Sequence, residues 1–239
     1  MSSRLILLLT AATLFAAGFP LRSLEHGLTI SRLRPAEQMA EAAGRGGPLA
    51  VLGGMRSLLA SLCWLRTNLA WERRDAATTA GLIELTVALD ERPLTFWLNG
   101  ARMLAYDLPE WRQDPLAPVA WRMSVNEAYA QQALRLLEKG VRWHGPDAAL
   151  YIEMANIHLR RRNDPAAAAR CYRLAAGQPG APPYAARIHG ELLRALGRPE
   201  AALAWLRQVL PGLRADDPLA RREVVLARIQ ALEQEVAAR

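Results

Sequence analysis

Ala202, Leu206 and Val209 each have a counterpart 34 residues upstream, in Ala168, Tyr172 and Ala175. A period of that size is the signature of stacked helical hairpins, in which each unit buries its apolar face only against its neighbours. Two antiparallel helices approach closely only where the crossing point carries little or no side chain. The spacing therefore predicts Gly190 facing Ala202 and Ala155 facing Ala168, with Tyr172, Leu193 and Leu206 filling the gap to the next hairpin. Gly197 suits the tight turn of the last unit, where the backbone must go left-handed.

Composition agrees with this reading. Half the residues are apolar, alanine and leucine dominate, and β-branched residues are few, so the chain reads as all-α with a sizeable core. From Leu49 to Arg73, Met55, Leu58, Leu62, Leu65 and Leu69 recur at steps of three and four, the pattern of one buried helical stripe. Arg56 and Arg66 make that segment a poor membrane span. Asp75 offers an N-cap to a second helix carrying Leu82, Leu85, Val87 and Leu89, ended by Arg92 and Pro93. Trp97, Gly100, Ala101 and Leu104 open a further unit, and Tyr151, Met154, Ala155 and His158 repeat that spacing. Ala186, His189, Gly190 and Leu193 repeat it again. Residues 219–236, with Val224, Val225, Ala227, Ile229 and Leu232, read as a closing helix that starts near Asp217 and Pro218.

These units resemble the tetratricopeptide repeat, whose first helix opens W-x2-L-G-x2-Y, over roughly residues 75–237 and most specifically over 146–210. The resemblance implies a short right-handed superhelix of antiparallel helix hairpins. The stretch GGMRSLLASLCWLR at 53–66, followed by WLNGARMLAYDL, is also similar to a group of bacterial membrane-anchored repeat proteins, for which it implies architecture but no activity.

The amino-terminal segment is different in kind. Leu5 to Leu21 run without a charge between Arg4 and Arg22, about 25 Å of helix, at the lower limit for spanning a bilayer. Residues 1–22 are thus expected to be a membrane anchor or signal segment, 23–48 a linker rich in proline and glycine, and 49–239 the repeat domain. A cleavage site after Gly18 and a buried amino-terminal helix are the alternatives. The short charged head favours a signal anchor in a bacterial inner membrane, with the repeat domain facing the periplasm.

No catalytic constellation stands out. The chain has no P-loop, no G-x-S-x-G, no HExxH and no CxxC, and its four histidines lack spaced partners. His158 and His189 fall on repeat-framework positions, where a structural role is expected. Cys63 and Cys171 suggest neither zinc nor a disulfide framework. No enzyme, metal or cofactor is expected. The net charge of +7 comes almost wholly from arginine, Lys139 being the only lysine, and by itself is weak evidence for nucleic acid.

The resemblance points to partner binding along the first helix of each unit, at Leu98 and Arg102, Ile152 and Asn156, and Arg187 and Glu191. Asn156 suits an extended peptide backbone, and Arg102, Arg187 and Arg194 suit carboxylates. The insertion at 109–123 brings Trp111 and Trp121 as further partner-binding candidates, a local packing role being the alternative. The expectation is a membrane-anchored scaffold holding a protein partner. The competing expectation is binding of nucleic acid or anionic lipid through Arg160, Arg161, Arg162, Arg221 and Arg222.

Overall fold

Most helices among the described residues begin where the sequence supplies an aspartate cap or a proline. The computed structural model describes residues 55–112, 116–214 and 216–238, within a compact unit spanning Gly54–Arg239. The amino-terminal run Leu5–Leu21 and the linker lie outside the described residues. Among the described residues the chain is entirely helical, without strands.

Nine helices of nine residues or more lie among the described residues: α1 (Arg56–Glu72), α2 (Ala76–Leu89), α3 (Leu94–Arg102), α4 (Val119–His144), α5 (Ala148–Arg160), α6 (Pro165–Ala176), α7 (Pro183–Ala195), α8 (Pro199–Val209) and α9 (Arg222–Ala237). Asp75, Asp147 and Asp164 cap α2, α5 and α6, their carboxylates accepting from the backbone N–H groups of Thr78, Ala149 and Ala167 at 3.1, 2.8 and 2.8 Å. Pro165, Pro183 and Pro199 take the first positions of α6, α7 and α8, where a missing N–H does no harm. The turn between α7 and α8 passes through Gly197 at φ 72°, as the sequence predicted. Helix α3 runs on through a wide π turn, Met103–Asp107, into Leu108–Trp111. The widening falls just ahead of Pro109, which has no N–H to offer the carbonyl of Ala105.

Successive helices fold back on one another, α1 on α2, α3 on α4, α5 on α6 and α7 on α8, and each pair packs on the next through α2 with α3, α4 with α5 and α6 with α7. Helix α9 closes the last pair against α8. The core follows this order in three clusters. Ile83, Leu104, Leu108, Leu136, Leu137 and Leu150 centre the first, Ala155, Ala168, Tyr172 and Ala185 the second, and Ala202, Leu206, Val225 and Leu232 the third. The expected pairing of Ala155 with Ala168 thus falls inside one cluster.

Gly190 lies against Leu206: a Cβ built on the glycine would sit 2.7 Å from Cδ2 of Leu206. The missing side chain makes room for a large residue of the facing helix. Two expectations are corrected. The stripe on α1 is not buried. Met55, Leu58, Leu62, Leu65 and Leu69 are all about half exposed, while Ala60, Thr67 and Ala70 face inward. The small face lets α1 lie close to α2, and close approach outweighs the burial of bulk. Finally, the closing helix starts at Arg222, after Arg221 at φ 45°, while Asp217 accepts from the N–H of Leu219 in the preceding turn.

A candidate partner-binding groove

The expected inner-face residues are largely engaged within the chain. Nε of Arg102 lies 2.8 Å from Oε2 of Glu153, a carboxylate almost wholly buried beneath it. This pair ties α3 to α5. Asn156 accepts a 2.8 Å hydrogen bond from the hydroxyl of Tyr172, within its own hairpin. Arg194 pairs with Glu235 at 3.5 Å and Glu191 with Arg228 at 2.6 Å, so α9 holds the inner edge of α7. Of this set Arg187 forms no ion pair among the described residues, and its Nε is buried without a hydrogen-bond partner. These residues are not brought together around one space.

The two tryptophans separate. Trp111 is half-buried and meets Trp71 edge to face at 6.1 Å, while Trp71 donates to Asp107 at 2.8 Å. It packs the first cluster. Trp121 stands in the first turn of α4 and is 41% exposed, near the still more exposed Val119 and Met123. The buried part of α4 begins only at Ala130, so this tip projects beyond the core.

Among the arginines weighed for nucleic acid, Arg161 is bound to Glu110 and Asn126 and lies 5.7 Å over the ring of Tyr106. Arg162 pairs with Glu127 at 2.8 Å. Burial, followed by the Glu153 charge, pushes the Tyr106 hydroxyl up to about 12. That site is a closed network joining α3, α4 and α5.

An open groove of about 730 Å³ lies elsewhere, between α6 and α8 over α7. Its size falls within the range of binding pockets, roughly 300–1,000 Å³. The alanines Ala166, Ala169, Ala201 and Ala204 keep the two walls low. His189 and Trp205 make the floor: Nδ1–H of His189 donates to the carbonyl of Ala169 at 2.8 Å, and Nε1–H of Trp205 donates to the carbonyl of Ala186 at 2.8 Å. The two rings meet edge to face at 4.7 Å, which fixes both. Burial holds the imidazole below its usual pKa, so it is neutral at pH 7.

The rim is basic. Arg170 and Arg173, one turn apart on α6, and Arg198 at the head of α8 line the groove, and among the described residues no acid lines it. All three are exposed, and none forms a salt bridge among the described residues. Chemically the place offers three guanidinium forks above an alanine-walled trough with an aromatic floor. The inner-face rule carried over from the repeat family passed it by, because the groove lies between second helices. A signal was nevertheless present: PAAAAR and PEAALA carry alanine on faces that the hairpin contact does not use, with two arginines spaced by three.

Neither the protein-family models nor the curated proteins give a match to this chain. Among the described residues no group of His, Cys, Asp and Glu is placed to hold a metal ion, and no helix is long and apolar enough to cross a membrane.

Proposed function

We propose that the chain is a non-enzymatic scaffold of the tetratricopeptide-like kind, tethered to a bacterial inner membrane by residues 5–21. It holds a partner protein in the groove between α6 and α8, with the repeat domain on the periplasmic side. One observation carries the reading: three exposed arginines, without ion pairs among the described residues, rim an alanine-walled trough that no described acid lines. Charge complementarity of this kind sets partner choice and association rate more than raw affinity. The partner segment that fits is acidic and narrow, with carboxylates for the guanidinium forks and an apolar side chain for Trp205.

The test uses the full chain in detergent and three labelled peptides of equal length, one acidic, one neutral and one basic, followed by fluorescence anisotropy. The acidic peptide binds, weakens with added salt, and loses at least tenfold in affinity to the Arg170→Glu/Arg173→Glu variant. Equal binding of all three peptides, or an unchanged affinity in the variant, overturns the groove assignment. The tether has its own check, because deleting residues 1–22 moves the chain from an integral fraction that resists salt washing to one that salt extracts.

A further inference from the structure

The stripe Met55, Leu58, Leu62, Leu65 and Leu69 lies on the outer face of the first described helix, each side chain between 45% and 58% exposed. Stacked-repeat proteins need a polar outer face on their terminal helices to stay soluble. Helix α9, at the other end, meets this need with Glu223, Gln230, Glu233 and Gln234 exposed around a few apolar side chains. Helix α1 does the opposite, and a contiguous exposed apolar strip of this size marks a contact surface.

We infer that α1 lies flat on the anionic bilayer surface, its leucine stripe sunk to the boundary of headgroups and acyl chains. The inference rests on the tethered reading above, and charge decides the occupant. Arg73 follows one edge of the stripe, Arg74 comes next, and both are exposed. Glu72 is the only acid on the helix, and Arg56 is turned back to Glu91 and the carbonyl of Leu89. Apolar side chains edged by arginine are what an interfacial helix needs, each basic group near an anionic leaflet adding attraction. The steps of three and four would also suit a helix from a second copy. In that parallel pairing Arg73 would meet only Asn68, with no acid across the seam to specify the pair. Covering by the described helices is excluded, because the opposite face of α1, through Ala60, Thr67 and Ala70, is the one packed inward. The position in the chain agrees, since α1 is the first described helix after the segment that holds the apolar run.

The experiment keeps the full chain, in a Cys63→Ser/Cys171→Ala background, with a spin label at Leu62→Cys, Leu65→Cys or, as a control, Gln230→Cys on the exposed side of α9. Each protein is reconstituted into vesicles of phosphatidylcholine with or without phosphatidylglycerol. Collision with oxygen, which partitions into lipid, is compared with collision with a water-soluble nickel chelate. At 62 and 65 the ratio of oxygen to nickel collisions rises severalfold in the anionic vesicles over the label at 230, and less without phosphatidylglycerol. Equal ratios at all three positions overturn the inference, as does label–label broadening that reports a second copy. Protection of 62 and 65 from both reagents also overturns it, by placing another segment of the chain on the stripe. Flotation of the same samples after a salt wash separates the two readings: floating chains with a water-exposed label sink only the α1 contact, whereas chains that do not float sink the tether and, with it, the contact.

Discussion

Gly190 lies against Leu206 so closely that a methyl group added at the glycine would stand 2.7 Å from Cδ2 and 3.0 Å from Cγ of the leucine. Leu206 is 1% exposed and sits in the cluster that joins α8 to α9. Gly190→Ala therefore forces the leucine to shift, and Gly190→Leu forces the hairpin apart, an overpacking effect of about 1–3 kcal/mol. For a chain of this size the melting temperature falls by roughly 2–4 °C per kcal/mol. Combining Gly190→Ala with Leu206→Val gives less than the sum of the single effects, because the second change vacates the space that the first one fills. Thermal scans by circular dichroism check this, and strict additivity would deny the contact.

His189 and His158 set the response to mild acid. Burial depresses both imidazoles, with the Arg162 charge adding to the effect at His158. A base with a depressed folded-state pKa is protonated more readily in the unfolded chain, so the unfolded state binds more protons once the pH drops toward the unfolded value of about 6.5. Stability is thus complete above neutrality and declines as the pH falls through the unfolded pKa toward the folded ones. The Asp90 carboxyl works at lower pH. The Arg92 hydrogen bonds, helped by Ser57, hold it down to about 2, so its contribution is present above about 4 and disappears below that. Urea titrations at pH 7.5 and pH 5.5 should show the first decline, and His189→Asn should flatten it while lowering stability at both pH values.

Cys171 and Cys63 should react very differently with a thiol reagent. Cys171 is 8% exposed in the second cluster, and burial pushes its thiol up to about 11. Cys63 is also raised, by burial opposed by the Arg66 charge, but it is only partly buried. Because the thiolate is the reactive form, labelling with a maleimide at pH 7.5 is slow at Cys171 and detectably faster at Cys63. Denaturant equalises them. Mass spectrometry of the quenched digest reads both sites, and prompt labelling of Cys171 in the native protein would show that α6 opens more easily than its packing implies.

What the sequence revealed and what it hid divide along a physical line. The period over Ala168, Tyr172 and Ala175 was legible because interlocking hairpins demand the same side-chain volume at the same register in each unit. The cap at Asp75 and the turn at Gly197 were legible because they are local chemistry. The direction in which a helix turns its faces was not local. On α1 the sequence offers a leucine stripe and an alanine–threonine face, and periodicity alone assigns the leucines to the core. The protein chose the small face, since Ala60, Thr67 and Ala70 let α1 lie close to α2. The candidate site was hidden for a similar reason. Arg102, Asn156 and Arg194 looked available because their partners Glu153, Tyr172 and Glu235 are 51, 16 and 41 residues away in the chain. Arg170 and Arg173 were overlooked because the family rule directs attention to first helices, and no rule of spacing says that Arg198 joins them across a trough.

The most direct measurement of the scaffold reading is site-specific photo-crosslinking in intact cells. A photoreactive residue is placed at Ala204 in the groove or at Leu98 on the inner face, in the wild-type chain and in the Arg170→Glu/Arg173→Glu variant. The expected result is a discrete membrane-associated adduct from Ala204, strongly reduced by the double charge reversal, and none from Leu98. An adduct from Leu98 alone, or one from Ala204 that survives the loss of both arginines, would contradict it.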